Sequence, residues 1–437
     1  MSKLVQSLKG TRDFYPEDMA ARTWLYNRIR SVSEAFGYQE YEGPLLESIE
    51  LYAAKSGEEL VKEQSFVFPD RGGDLITLRP ELTPSLARMV AQRQRQLVYP
   101  LRWWSFGPFW RYERPQKGRS REFFQWNIDM IGVDSPEADA ELIAIAVAFF
   151  QEVGLSPSQA QILVNNRGLM DGEFAALGID PGLRPDVLRL IDRRDKMTPD
   201  EWLSYAQEIG LDNAQFAGLQ NVLSNAELWR KSEEMVSLFA AIDALGVRQY
   251  VRYAAHIIRG LDYYTGTVFE AWDVAGEFRA LFGGGRYDNL VSAVGGDPLP
   301  AVGFAMGDVV IGLLLKKLTL LPALATTSPA PVLVTVFDEN NLLESLRLAN
   351  ELRQAGLNVA CYPEAAKLAR QFKFADRSGI KIVLVVGPDE AAAGKVTVKD
   401  LRNGTQHTIK RGDAASTIEK LLENTAAANY PVKGVTQ

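Results

Sequence analysis

Cysteine is nearly absent: Cys361 stands alone, beside two histidines, in 437 residues. The chain therefore cannot carry an internal disulfide framework, and a structural zinc site built from cysteine and histidine lacks ligands. No run of about 18 uninterrupted apolar residues occurs, so no membrane-spanning helix is expected. The opening MSKLVQSLKGTRDFYPED has no apolar signal core, which points to a cytoplasmic protein. Excess positive charge is missing too. A formal net charge of −7 argues against wholesale coating of nucleic acid but permits a local basic patch. Low-complexity tracts and short-period repeats are also absent.

What is present is an ordinary globular chain, 46% hydrophobic and long enough for two or three domains. Glu17–Phe36 reads as a helix, Gly37–Glu42 as extended, and Gly43-Pro44 as the entry to another helix. Leu75–Leu78 is a strand. Thr83-Pro84 reads as an N-cap with proline at the first helical position, opening a helix to about Gln94. A helix is expected over Ala138–Val153. Residues 168–247 are polar, helical and cut by Gly/Pro pairs, as expected of a helical insertion between 1–167 and 248–320. Residues 321–331 read as a linker. From 332 to 425 strands and helices alternate, which predicts a small α/β domain with a largely parallel sheet. Residues 426–437 are expected to form a disordered tail.

The most informative stretch is Phe109–Gly132, FWRYERPQKGRSREFFQWNIDMIG. It reads as strand, basic loop, strand. Side chains of a strand alternate between faces. Phe124, Trp126, Ile128 and Met130 share one face, which must be buried. Phe123, Gln125, Asn127, Asp129 and Ile131 share the other, with a polar centre. Arg111 and Glu113 share a face with Phe109. An antiparallel sheet carrying Arg, Glu, Gln and Asp on one face is costly unless a polar ligand lies there.

Arg79-Pro80-Glu81-Leu82-Thr83 sits where a strand meets a helix. A carboxylate and a hydroxyl two residues apart suit a primary ammonium, which offers three donors. Taken alone, the pentapeptide is more often an ordinary cap with a solvated glutamate. Phe282-Gly283-Gly284-Gly285-Arg286-Tyr287-Asp288, after a strand expected over Glu277–Leu281, allows close backbone approach. Alone, such a run is more often a turn than a ligand cradle.

Together these segments resemble the histidyl-tRNA synthetases, members of the class II aminoacyl-tRNA synthetases. The hairpin is similar to class II motif 2, and its loop ERPQKGRSREF narrows the likeness. Arg79–Thr83 matches RPE-x-T. Arg259-Gly260-Leu261-Asp262-Tyr263-Tyr264-Thr265-Gly266 matches the family signature RGLDYY-x-G. Gly284–Asp288 matches GGRYD, and Leu8–Asp13 matches the family's start. The likeness runs from Leu8 to about Leu422.

The resemblance implies an α/β fold: an α+β catalytic core with a class II antiparallel sheet flanked by helices, the helical insertion, and a C-terminal anticodon-binding-like α/β domain. It implies ATP-dependent activation of L-histidine as the adenylate, with Mg2+, and transfer to the 3′ end of tRNA(His). By the same resemblance Arg259 and Arg111 act at the α-phosphate, and Glu81, Thr83 and Gln125 hold the α-amino group. Asp129 and Tyr264 are the candidates for the imidazole, with Tyr263 and Gly284 beside them. Glu113, Arg119 and Arg121 are candidates for ATP, with Arg111 and Arg259. Arg114, Gln116, Lys117 and Lys373 are candidates for tRNA. Motif 1, around Pro44, implies a homodimer.

One departure stands out. Where the family continues motif 3 as G-(L/V)-E-R, this chain has Gly307-Asp308-Val309-Val310. Val310 occupies the position of an arginine that stacks on adenine, a contact of about 1 kcal/mol. Asp308 is expected to cap the helix Val309–Lys317. The alternative is a catalytically silent paralogue that senses histidine as the regulatory subunit of ATP phosphoribosyltransferase. The intact Arg259 signature and the C-terminal domain oppose it.

Overall fold

The computed structural model describes residues 5–53, 64–113, 118–258, 263–322 and 328–429, and the chain divides into two compact units, Met1–Pro322 and Ala323–Gln437. The described strands of the first unit are β1 (Gln39–Glu40), β2 (Leu46–Ser48), β3 (Phe66–Pro69), β4 (Leu75–Leu78), β5 (Leu101–Trp110), β6 (Glu122–Ile131), β7 (Ala160–Asn166), β8 (Val251–Tyr253), β9 (Thr267–Asp273), β10 (Phe282–Arg286) and β11 (Ala301–Gly307). Its helices are α1 (Pro16–Ala35), α2 (Ile49–Ala53), α3 (Thr83–Arg93), α4 (Pro136–Glu152), α5 (Arg167–Ala176), α6 (Arg184–Asp192), α7 (Pro199–Glu208), α8 (Asn213–Ser224), α9 (Glu233–Ala244), α10 (Leu290–Ala293) and α11 (Asp308–Lys317).

Eight strands form one sheet in the order β1-β5-β6-β11-β10-β9-β7-β8. Pairing is antiparallel from β5 through β7 and parallel only at the two ends, β1 with β5 and β7 with β8. The hairpin pattern holds: Phe124, Trp126, Ile128 and Met130 are all buried. They meet α4, a helix apolar throughout Leu142–Phe150 and capped by Ser135, which accepts from the Ala138 N–H. Trp126 packs on Phe149 with ring centroids 5.5 Å apart, and Phe150 on Phe282 at 5.9 Å. Helices α5–α9 continue the same hydrophobic core rather than forming one of their own. Burying such side chains contributes roughly 1.5–3 kcal/mol each, so this face of the sheet is the structural one.

Three local expectations need correction. The helix expected after Gly43-Pro44 is preceded by β2, which pairs with β4 in a separate three-stranded sheet, β2-β4-β3. The strand expected at Glu277–Leu281 lies further on, so the three glycines sit within β10 rather than after a strand. Helix α3 begins at Thr83 itself, with Leu82 as its cap residue, so Thr83 does not cap it.

The second unit holds β12 (Val332–Val334), α12 (Leu342–Gln354), β13 (Val359–Cys361), α13 (Leu368–Arg377), β14 (Ile382–Val385), α14 (Pro388–Ala392), β15 (Lys395–Asp400), β16 (Gln406–Lys410) and α15 (Ala414–Asn429). Its sheet order is β13-β12-β14-β15-β16. The β12 pairs are parallel, but β15 and β16 join antiparallel, so the sheet is mixed rather than largely parallel. The expected hairpin over Lys395–Lys410 accounts for that half. Helix α15 runs to Asn429, into the segment read as a tail; residues 430–437 lie outside the described residues. No described helix is long and apolar enough to cross a membrane.

Candidate active site

The other face of the large sheet is a shelf with a polar row along its middle strand. On β6, Phe123, Gln125, Asn127 and Asp129 point the same way. Their partners on β5 are Phe109, Gly107, Ser105 and Trp103. On β11, Gln125, Asn127 and Asp129 face Gly307, Ala305 and Gly303. The row thus rises between mostly small neighbours. At Gly303 the smallness is required: a Cβ there would stand 2.0 Å from Asp129 Oδ1.

Asp129 is buried, and burial pushes its carboxyl up to about 7, offset in part by a hydrogen bond from Tyr287. The Tyr287 hydroxyl donates to Asp129 Oδ1 at 2.6 Å. Alternation after β10 explains this. Arg286 points to the core face, where it pairs with buried Asp139 at 2.5 Å and donates to the Val133 and Ser135 carbonyls. Tyr287 therefore points to the shelf. Asp288 accepts from the Thr265 hydroxyl at 2.5 Å.

Glu81 closes the other side of the shelf and is also buried. Tyr263 donates to Glu81 Oε2 at 3.4 Å, and its ring meets that of Tyr287 edge-on at 6.0 Å. Two buried carboxylates, Glu81 and Asp129, are thus joined through Tyr263 and Tyr287. The Glu81 segment is fixed by Arg79, whose fully buried guanidinium donates to the Pro108 and Gly43 carbonyls, pairs with Glu42 at 2.5 Å and lies over the Phe109 ring. The Thr83 hydroxyl, released from capping, has no hydrogen-bond partner among the described residues. Gln125 likewise spends none of its side-chain hydrogen-bonding capacity among them.

Arg111 joins the hairpin to this segment: its Nε donates to the Pro80 carbonyl at 2.9 Å and its guanidinium carbon lies 5.3 Å from the Phe123 centroid. Among the described residues its other donors have no partner, so they suit an anion over the shelf. Glu113 and Arg119 are brought together, but with each other, as an ion pair of 2.9 Å. Arg121 lies over the Tyr112 ring at 4.3 Å. Tyr264 is buried among Ile257 and Val268, 4.9 Å from the Tyr263 ring. Arg259 lies outside the described residues, as do Arg114, Gln116 and Lys117.

Gly284 is placed differently from expectation. It pairs with Phe304 on β11, which is part of the main core, whereas Gly283 and Gly285 fall on the shelf side. A Cβ at Gly285 would come within 2.8 Å of the Tyr264 ring. Asp308 does not cap α11. It is the first helical residue; Oδ1 accepts from the Phe124 N–H at 2.9 Å, and Oδ2 pairs with Arg12 at 2.8 Å. Val310 packs on the main core, and a Cβ at Gly118 would lie 3.7 Å from its Cγ2.

On the second unit, Lys373 is exposed on α13 and Phe374 beside it is 46% exposed. Phe372 packs into the domain core and lies under the Lys399 ammonium at 5.1 Å. Gln371 is buried and bonds Val336 and Ala366.

Two shelf residues escaped sequence reading, Phe123 as a ring surface and Tyr287 as the partner of Asp129. The alternation of β6 already placed Phe123 there. Tyr287 was within a recognised motif, and only the tertiary approach of β10 to β6 singles it out.

A family description for histidyl-tRNA synthetase matches residues 10–308, and one for the anticodon binding domain matches residues 331–421. The chain is 39% identical over 415 residues to the histidine–tRNA ligase, chloroplastic/mitochondrial, of Arabidopsis thaliana, covering 93% of this chain and 85% of that protein. It is 34% identical to the histidine–tRNA ligase of Leptospira biflexa, covering 95% and 98%. Among solved structures it is similar to a histidyl-tRNA synthetase from Nostoc sp. PCC 7120, with a TM-score of 0.78 and 26% identity over 96% of this chain and 100% of that one. With its sheet, its paired carboxylates and these relatives taken together, the chain belongs to the histidyl-tRNA synthetase family.

Proposed function

We propose that the chain activates L-histidine with ATP and transfers it to the 3′ end of tRNA(His). The observation that carries this is the pair of buried carboxylates at either side of the shelf. Histidine has an ammonium and an imidazole, and Glu81 with Thr83 suits the first while Asp129 suits the second. Gln125, between them on the open row, is available to the ammonium.

In activation a carboxylate oxygen of histidine attacks the α-phosphorus, and the bond to the bridging oxygen of pyrophosphate breaks. Charge builds on the phosphate oxygens. Arg111, held by the Pro80 carbonyl, supplies a fixed guanidinium there, and Arg259 is the second. Phe123 offers a ring face to the adenine, supplying apolar area where Val310 replaces a guanidinium. The Glu113–Arg119 pair opens toward the nucleotide when it binds. Arg121 lends charge at the same edge. Tyr263 keeps Glu81 oriented, and Tyr264, its ring 4.9 Å from that of Tyr263, joins Asp129 at the imidazole. Gly284 serves by letting Phe304 close the core beneath.

In transfer the terminal tRNA hydroxyl attacks the carbonyl carbon, AMP leaves, and a phosphate oxygen or water takes the proton. Arg114, Gln116, Lys117 and, on the second unit, Lys373 contact the tRNA. Mg2+ would come with ATP and would offset the charge that builds on its phosphate oxygens. A homodimer is supported by Leu45, Leu46, Val67, Phe68 and Leu75, each 39–52% exposed on or beside the small sheet next to Pro44.

The test is histidine-dependent exchange of pyrophosphate into ATP, with and without magnesium. Exchange with histidine and no other amino acid is expected, and Arg259→Ala should abolish it while leaving the fold intact. Histidine binding without exchange would instead indicate the regulatory role.

A further inference from the structure

Arg286 ends β10, and Tyr287 and Asp288 follow it. The three side chains go to three places. Arg286 is buried and held by Asp139 and by the Val133 and Ser135 carbonyls. Tyr287 reaches Asp129 on the shelf. Asp288 turns back toward Arg286: its Oδ2 accepts from the Thr265 hydroxyl at 2.5 Å, and its Oδ1 lies 3.6 Å from Arg286 Nη1. The carboxylate that meets Thr265 is therefore itself anchored, through Arg286 and Asp139, to the first turn of α4.

Thr265 is also held along its backbone. Its N–H donates to the Arg286 carbonyl at 2.9 Å, and the carbonyl of the next residue, Gly266, accepts from the Arg167 N–H at 2.9 Å. Gly266 packs so closely that a Cβ there would lie 3.1 Å from Arg286 Cδ. From this fixed point the chain crosses only Tyr264 before it reaches Tyr263. Tyr264 is buried, and its ring lies 4.9 Å from that of Tyr263. Tyr263 in turn donates to Glu81 Oε2 at 3.4 Å. A hydrogen bond to an ionised acceptor is about twice as strong as a neutral one, and the β-branched Thr265 has few rotamers in which to make it. The Asp288 bond thus adds a side-chain attachment to the backbone one. Two attachments at different atoms suppress the rotation that one alone allows.

We propose that Asp288 is a positioning residue for amino-acid activation: through the Thr265 hydroxyl it sets the short stalk on which Tyr263 stands, and so the orientation of Glu81 toward the substrate ammonium. This rests on the histidine-activating role given above. Asp288 acts through Thr265 and Tyr263, not by contact with the substrate. One tripeptide then aims both pocket carboxylates, Asp129 through Tyr287 and Glu81 through Asp288. A glutamate on a loose stalk has more freedom to lose when an ammonium binds, so loosening the stalk weakens the hold on histidine.

The experiment uses full-length Thr265→Val and Thr265→Ser, with pyrophosphate exchange titrated in histidine and in ATP, and thermal melts. Valine keeps the shape of threonine without the donor, and serine keeps the donor. The expected result is a histidine KM raised about tenfold in Thr265→Val, with the ATP KM and kcat near those of the parent. Thr265→Ser should stay close to the parent throughout. Asp288→Ala removes the same bond from its other end and should match Thr265→Val. Combined with Tyr263→Phe, Thr265→Val should add little further loss, because both act on Glu81 through one chain of contacts. An unchanged histidine KM in Thr265→Val or Asp288→Ala would overturn the proposal. So would equal losses in Thr265→Val and Thr265→Ser, or losses that multiply with Tyr263→Phe. A melting temperature that falls together with kcat and both KM values would overturn it too, since the bond would then serve the fold alone. If the parent itself shows no histidine-dependent exchange, the activating role fails, and the role of Asp288 with it.

Discussion

Tyr287 donates to Asp129 across the gap left by Gly303, and the two side chains come from strands separated by β11. That hydrogen bond favours the ionised carboxylate, while burial opposes it, and the balance leaves Asp129 at about 7. Ionised Asp129 can only accept, which matches a ring N–H. Histidine use should therefore fall as pH drops through the neutral range. Tyr287→Phe removes the group that holds the pKa down, so the acid limb of kcat/KM for histidine should move to higher pH, by about one unit. A pH series of pyrophosphate exchange from mildly acidic to alkaline reads this directly. A limb that stays put would remove Asp129 from the ionisation that governs binding.

Arg111→Ala should cost about 10²–10³-fold in adenylate formation, the range for removing one fixed donor to developing charge. Its Nε bond to the Pro80 carbonyl is one of several holding the Glu81 segment, and Arg79 retains the others. The fold should survive, and the KM for histidine should change less than kcat. Single-turnover adenylate formation separates the two. A loss confined to histidine KM would show that Arg111 positions Glu81 and does not act at phosphate.

The hairpin was legible because two periodicities coincide in it: period-two burial on one face and polar residues on the other, around a basic loop. The RPELT segment was legible as residues but not as geometry. Thr83 followed by proline has the form of a cap, yet Leu82 takes that position and frees the hydroxyl. Gly284 was misplaced by a single residue, because a glycine run hides the alternation that side chains otherwise reveal; only the register against β11 puts it on the core face. Asp308 was read as a local cap, and its partners are instead Arg12 and the Phe124 N–H, far away in sequence. The Tyr287 contact with Asp129 is of the same kind. Local pattern says which face a residue takes, and only tertiary pairing says what it meets there.

Asp308 offers a test of that long-range tether. It fastens the N-terminal segment and the edge of β6 to the start of α11, through two charge-assisted bonds. Asp308→Ala leaves the Phe124 N–H unpaired and Arg12, which is 31% exposed, to be rescued by water. A loss of about 2 kcal/mol is expected, seen as a lower melting temperature of the first unit. Arg12→Ala alone should cost less, and the double variant little more than Asp308→Ala. Additive losses would show that the pair is not coupled.

The small sheet β2-β4-β3 presents Leu46, Phe68 and Leu75 to solvent in the single chain. Phe68→Glu places a charge in that apolar patch without touching the shelf. Sedimentation should find the parent as a dimer and the variant shifted to monomer at micromolar concentration. A monomeric parent would leave the patch without the second copy proposed for it.

Recognition of tRNA by the second unit should separate cleanly from activation. Lys373 and Phe374 are neighbours on α13, both exposed, in a stretch where the buried work is done by Gln371 and Ala375. A cation for phosphate beside a ring for an unstacked base is the pairing that single-stranded RNA favours. Base stacking on such a ring is worth about 1–3 kcal/mol, so Phe374→Ala should raise the KM for tRNA by about tenfold or more, and Lys373→Ala by less, with a weaker salt dependence. Neither should alter pyrophosphate exchange, which needs no tRNA. If aminoacylation is unchanged in both variants, the exposed face of α13 is not where the RNA binds, and the Phe372–Lys399 side of the helix becomes the next surface to probe.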